Sequence, residues 1–365
     1  MHPNGHATVT RNMVKQLDAI GVEVKLRSTQ FPNPNTLIGP RDGRLLRMAT
    51  RRYERGPRRV RVIHRSPRDF HREGDAFTVG FSYAESTRVP PFWVSKINRE
   101  VDALAVGSQF SRDAFLRSGV RCPIWVIPHA VNPSIFHPGT PSRRLQNVWP
   151  GFRFLSVFEW APRKGPDILL RAYWEEFSKD DDVCLIIKTK SAFGKETGNS
   201  RRELQNLIRR YRPQHAAPVW VYDGNLTEEQ MASLYQNASA FVLPTHGEGV
   251  GFPILEAAMC GVPLLVTRFG GHVERLANHG VYYFSHRMGP IPPSVTAEWG
   301  SLRGTWANPT VTSVRKEMRR VYLDDDKASR RAERVLGELR PKLRWDLAAE
   351  ELVRRINAAV GHDIS

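Results

Sequence analysis

The stretch PTHGEGVGFPILEAAMCGVPLLVT, residues 244–267, decides how this sequence is read. An apolar run at 240–244 predicts a strand ending on Leu243 and Pro244. A glycine-rich loop follows. Pro253 stands where a helix over 253–259 begins, because the first helical turn has no hydrogen bond for proline to break. A second apolar run, 263–267, predicts the next strand. This order aims the backbone N–H groups of Gly249, Val250, Gly251 and Phe252 out of a helix N-terminus, an end that attracts anions. Ligands of parallel α/β sheets settle at the carboxyl ends of the strands. Two carboxylates flank the loop, Glu248 at its tip and Glu256 a turn inside the helix, spaced to grip two parts of one extended ligand.

Outward from this segment the pattern repeats. Strands at 154–157, 183–188 and 219–223 alternate with helices at 167–177, 201–211 and 227–236. In the first part of the chain, a helix at 7–20 precedes strands at 22–26, 60–64, 77–81, 103–106 and 124–128, with a helix at 111–118. Such alternation predicts parallel sheets with helices on both faces. Residues 132–150, rich in Pro, Gly, Ser and Arg, read as a linker. Helices at 311–322, 327–339 and 345–359 close the chain. The expected organisation is an N-terminal acceptor-side domain, 1–140, a C-terminal ligand-binding domain, 141–342, and a last segment, 343–365, whose helix packs back on the first domain. Because a helix comes first, the first sheet is expected to be one strand short.

A second cluster lies in FLSVFEWAPRKGPDILLRAY, residues 154–173. Arg163 and Lys164 fall between a predicted strand and helix, where two cations neutralise an anionic leaving group. The acidic runs 180–182 and 324–326 read as solvated turns. With no Asp-x-Asp motif, no Walker loop and no His/Cys cluster, neither a metal nor a cofactor is expected.

Composition is that of a globular chain, 41% hydrophobic and 25% charged. No apolar run is long enough to span a bilayer, and no secretory leader pattern opens the sequence. Cys122, Cys184 and Cys260 are isolated, so reduced thiols and a cytoplasmic location are expected. The formal net charge of +17, concentrated in the arginines of 41–72, implies attraction to a polyanion. An anionic membrane surface, touched peripherally, is one such partner. Nucleic acid is a weaker one, since Tyr53 and Phe70 are the only aromatic rings in that stretch apart from histidine.

Taken together, Glu248-x7-Glu256 in this setting resembles the donor-site signature of the family 4 retaining glycosyltransferases, also called glycosyl transferases group 1. Membership implies the GT-B fold, an α/β architecture of two doubly wound Rossmann-like domains facing a central cleft. It implies transfer of a hexosyl unit, with retention, from a UDP- or GDP-sugar to a hydroxyl of a glycan or lipid-linked acceptor. Carried over by position, Glu248 meets the sugar hydroxyls and Glu256 the ribose. Arg163 and Lys164 stabilise the departing diphosphate, although the family arginine often stands earlier, where this chain has Phe158. Gly224, Asn225 and Leu226 resemble the segment beside the nucleotide base. Gly5 resembles the glycine loop that faces the donor phosphate.

One departure concerns the first domain. Many members carry a histidine in a loop matched here by FSYAESTRVPPFW, which has none. Glu85, Ser86 and Thr87 therefore become the acceptor-side candidates, with His6 and His246 as further residues near the reaction centre. Two rival readings are a sugar-nucleotide epimerase on the same fold and a polyanion-binding protein with a vestigial donor site.

Overall fold

The computed structural model describes residues 5–27, 43–51, 59–140, 150–191, 198–276, 280–298, 300–361 and 363–364. The chain divides into two compact units. The first comprises Met1–Ala84, Val89–Ala130 and Leu343–Ser365; the second comprises Glu85–Arg88 and Val131–Lys342.

The first unit opens on helices α1 (Gly5–Ala19) and α2 (Gly43–Thr50). Its sheet holds β1 (Val60–His64), β2 (Phe77–Ser82), β3 (Ala103–Val106) and β4 (Ile124–Val126), all parallel and in sequence order. Helices α3 (Pro91–Glu100) and α4 (Gln109–Ser118) connect them. Ile63, Phe70, Ile97, Leu104, Val106 and Phe115 form its core; each such side chain contributes about 1.5–3 kcal/mol on burial. The strand expected at 22–26 does not form. Leu26 donates its N–H to the carbonyl of Met48, and Val24 and Leu26 pack with Val14 on Leu45 and Met48. The segment's apolar residues are satisfied by helices rather than by a sheet edge.

In the second unit, β5 (Phe152–Trp160), α5 (Pro166–Glu176), β6 (Val183–Ser191), α6 (Gly198–Tyr211) and β7 (Val219–Asp223) are followed by α7 (Glu228–Gln236), β8 (Ala240–Leu243), α8 (Phe252–Met259), β9 (Leu264–Thr267) and β10 (Tyr282–Phe284). The strand order is β10-β9-β8-β5-β6-β7, parallel throughout. The chain thus winds outward from β5 in one direction and from β8 in the other. Between β5 and β8 lies the topological switch point, the place at the strands' carboxyl ends where ligands of such sheets bind. An antiparallel hairpin, β11 (His286–Pro290) with β12 (Thr305–Pro309), and helices α9 (Pro293–Glu298), α10 (Val311–Leu323) and α11 (Asp325–Leu339) complete the unit. The last helix, α12 (Trp345–Val360), belongs to the first unit and packs on α1.

One expectation needs correction. Residues 131–140 are not a free linker: Phe136 is buried against Tyr235, and His137 accepts a hydrogen bond from Gln236. The division falls at 130/131 because this segment packs on the second unit, while 141–149 lie outside the described residues. The acidic runs are mostly exposed, as the sequence suggested, and one residue of each has a fixed role. Asp181 accepts from Arg319 at 2.7 Å and from the backbone of Ser178, and Asp324 caps α11 through the N–H of Lys327. Of the basic stretch 41–72, residues 41–42 and 52–58 lie outside the described residues.

Candidate functional site

The switch point brings the two sequence clusters together. After β5 the chain makes a 3-10 turn, Pro162–Lys164, closed by Gly165. Gly165 has φ +66°, and a Cβ there would stand 2.3 Å from the carbonyl oxygen of Pro244 at the end of β8. Only glycine lets the two loops approach this closely. His246 then donates its N–H to the Arg163 carbonyl at 2.7 Å, and the Thr245 hydroxyl oxygen stands 3.1 Å from the same oxygen.

Across this junction the side chains meet. Lys164 Nζ donates to Glu248 Oε1 at 2.6 Å, Thr245 Oγ1 donates to that oxygen at 3.1 Å, and Arg163 Nη1 stands 3.3 Å from it. Arg163 also donates to the carbonyl of Gly247, while its Nη2 pairs with Glu85 at 2.6 Å. Lys164 and Glu248 are 8% and 4% exposed, so both charges are largely removed from water. Burial alone would raise the Glu248 carboxyl; the charges of Lys164 and Arg163 reverse that and hold it at about 2. Burial and the neighbouring Arg163 push the Lys164 ammonium down, against the pull of Glu248. The backbone of Glu248 is fixed as well, its carbonyl accepting from Gly271 N–H.

Glu256 sits on the same loop–helix but in another environment. Helix α8 starts after Gly251, a left-handed residue with no capping side chain, and places Glu256 beside α7, where Tyr235 donates its hydroxyl to Oε2 at 2.8 Å. Burial lifts this carboxyl to about 7, and the Tyr235 hydrogen bond offsets only part of the rise. Val250 is buried within the loop.

Asn225 and Leu226 follow the carboxyl end of β7, two strands away from β5. Their loop is tied to β6 by Lys188, which donates to the carbonyls of Thr189 and Gly224, and Tyr222 lies over its ammonium at 5.6 Å. Burial brings Lys188 to about 8. The sequence reading passed over Lys188, although a lysine ending the apolar run VCLIIK was the available signal. It also passed over Thr245, Tyr235 and His272. The buried His272 ring donates from Nε2 to the Thr267 carbonyl, its Cβ lies 3.1 Å from where a Gly251 side chain would begin, and its Nδ1 finds no hydrogen-bond partner among the described residues.

The acceptor-side candidates divide. Ser86 donates to the Arg88 carbonyl and accepts from Arg303 N–H; Thr87 exchanges backbone and hydroxyl hydrogen bonds with Thr305 on β12. These hydroxyls anchor residues 85–88 to the hairpin of the second unit. Only Glu85 turns toward the charged cluster. His246 is held by Trp306, stacked 4.1 Å away, and by the Ala307 carbonyl, which accepts from Nδ1; burial lowers its pKa, so a structural, neutral imidazole fits. Gly5 opens α1 of the first unit, and the side chain of His6 lies outside the described residues. Among the described residues no group of three or more His, Cys, Asp or Glu is arranged to hold a metal ion, and no helix is long and apolar enough to cross a membrane.

Known proteins resemble this chain in sequence and fold. Residues 150–287 match the family described as glycosyl transferases group 1. D-inositol 3-phosphate glycosyltransferase of Acidothermus cellulolyticus is 28% identical over 151 residues, 40% of this chain and 34% of that protein. Serotype-specific mannosyltransferase WbdA of Escherichia coli is 29% identical over 162 residues, 44% of this chain and 19% of that protein. The matched part is therefore well under two thirds of these relatives' length. Among solved structures, Anabaena HepE in complex with UDP and glucose superposes with a TM-score of 0.61 at 18% identity, covering 78% of this chain and 72% of that one. Sucrose-phosphate synthase of Thermosynechococcus elongatus gives 0.60 at 18% identity, over 79% and 69%. These are likenesses of fold, and the fold is GT-B. The switch-point geometry, the match of residues 150–287 and the fold agree in making this chain similar to the glycosyl transferases group 1.

Proposed function

We propose that this protein is a retaining glycosyltransferase that moves a hexosyl unit from a UDP- or GDP-sugar to a hydroxyl of a glycan or lipid-linked acceptor. The observation that carries this reading is the convergence of Arg163, Lys164 and Glu248 on the β5/β8 switch point, with Glu256 farther along α8. Relatives named as glycosyltransferases, and a structural neighbour holding UDP and glucose, support it.

In this mechanism Glu256 accepts hydrogen bonds from the ribose hydroxyls, and the loop after β7 lies against the base. Arg163, Lys164 and the N-terminus of α8 face the diphosphate and stabilise the charge that grows as the glycosidic bond breaks. Ionised Glu248 orients the sugar hydroxyls. The acceptor proton passes to the leaving phosphate, and transfer occurs on the face from which the diphosphate departs. No metal or cofactor is assigned a step. The net charge of +17 supports peripheral attraction to an anionic membrane surface, where a lipid-linked acceptor would lie.

A donor screen tests this. With UDP-, GDP- and ADP-sugars, thermal shift and release of nucleoside diphosphate are recorded for the wild type and Glu256→Ala. Stabilisation by UDP- or GDP-sugars that is lost in the variant is expected. A protein that responds to none of them, while folded, is not a nucleotide-sugar enzyme.

A further inference from the structure

The four ion-paired charges at the switch point sum to zero, with Glu159 a further carboxylate nearby. Arg163 and Lys164 supply two positive charges, and Glu85 and Glu248 supply two negative ones, all linked within 3.3 Å. A diphosphate added to that set places further negative charge beside two carboxylates, and like charges sharing a desolvated site are strongly disfavoured. One carboxylate has to yield.

The two differ in how firmly they are held. The Glu248 side chain is 6% exposed and bonded to Lys164 and Thr245. The Glu85 side chain is 34% exposed, and Arg163 is its ion-pair partner. Its backbone, by contrast, cannot retreat. Ser86 and Thr87 are sewn to Arg303 and Thr305, and the Glu85 carbonyl lies against Gly247, where a Cβ would stand 2.3 Å away. The movable part is the carboxylate alone. We propose that Glu85 is a placeholder anion: its carboxylate pairs with Arg163 where the donor diphosphate would bind, and the incoming phosphates displace it.

This assigns Glu85 to donor binding rather than to the acceptor, and it rests on the proposed nucleotide-sugar reading. The groups facing Glu85 are Arg163, Lys164, Glu248 and Glu159. Burial raises its carboxyl above the ordinary range, against the opposing pull of Arg163 and Lys164. The role of the placeholder is to keep two desolvated cations neutralised between turnovers.

Titration calorimetry with inorganic pyrophosphate, UDP and GDP tests the proposal on the full chain, comparing wild type with Glu85→Gln and Glu85→Ala. Removing a competing charge should tighten pyrophosphate and nucleotide binding roughly tenfold, the equivalent of about one pKa unit of interaction. Unchanged or weaker binding in folded variants would overturn it, because a residue that merely positions Arg163 gives a loss. Glu85→Asp, which keeps the charge but shortens its reach, serves if the neutral variants fail to fold; it should also gain affinity, and no gain counts against the placeholder. Tighter pyrophosphate binding with no binding of UDP or GDP would leave the placeholder standing and remove the nucleotide-sugar reading. Nucleotide binding without any gain does the reverse.

Discussion

Glu248 and Glu256 are the same residue type, eight positions apart on one loop–helix, yet their carboxyls sit at about 2 and about 7. Both are desolvated. The difference is the company: Glu248 faces two cations across the β5/β8 junction, whereas Glu256 faces a tyrosine hydroxyl and the more distant charge of Glu228. The first is held ionised by its cations, which suits the sugar-orienting role proposed for it. The second is lifted by burial to about 7, so the ribose-holding role proposed for it would depend on pH. One signature of two glutamates thus carries two electrostatic designs.

The comparison breaks most severely if Lys164 is removed. Lys164→Ala leaves Glu248 buried without its closest partner, which costs about 3–5 kcal/mol of stability. Turnover should fall by roughly 100- to 1,000-fold through loss of charge stabilisation. Chemical denaturation and initial rates of nucleotide release measure the two effects. A variant as stable and active as the wild type would mean that Arg163 alone holds Glu248 ionised.

The Glu256 half is sharpened by pH. Its ordinary pKa of 4.5 is raised to about 7 in the fold, so between those values the folded state holds more protons than the unfolded state. This group's contribution to stability is therefore full below pH 4.5 and fades as pH rises toward 7. Nucleotide affinity runs the other way, increasing as Glu256 ionises, with a change of up to about tenfold between pH 6 and 8. In Glu256→Gln both dependences should flatten, which thermal unfolding and nucleotide titration across that range will show.

The smallest effect is expected from Tyr235→Phe. Losing the hydroxyl removes a hydrogen bond that lowers the Glu256 pKa, so the carboxyl rises further. Nucleotide binding at pH 7 should weaken only about two- to fivefold, in line with one hydrogen bond, and most of the loss should be recovered at pH 8.5.

Much of this was legible in the sequence because the second unit is regular. Its strands are apolar runs bounded by Gly and Pro, and the loops that carry Arg163, Lys164 and Glu248 interrupt them where periodicity fails. Adjacency of β5 and β8 is another matter. Strands whose shared edge joins residues 154 and 240 are neighbours only through the reversal of winding, which local pattern does not encode. For the same reason the sequence did not place Glu85 beside Arg163. Its placement on Arg163 depends on the Thr87–Thr305 and Ser86–Arg303 bonds, contacts more than two hundred positions apart. Tyr235 and Lys188 were missed because their polar atoms matter only for what lies across from them. The segment 22–26 misled through propensity: Val and Leu suit a strand, but here they found a helical partner.

The central claim is that the loops after β5 and β8 form one donor site in which Glu248 serves the sugar and Glu256 the nucleotide. Single-turnover kinetics combined with nucleotide titration, on Glu248→Gln and Glu256→Ala side by side, tests it most directly. The account predicts a split: Glu248→Gln loses rate by about 100-fold with nearly unchanged nucleotide affinity, while Glu256→Ala loses nucleotide affinity first. Equal losses of rate and affinity in both variants would contradict it, because the two carboxylates would then not be serving different parts of one ligand.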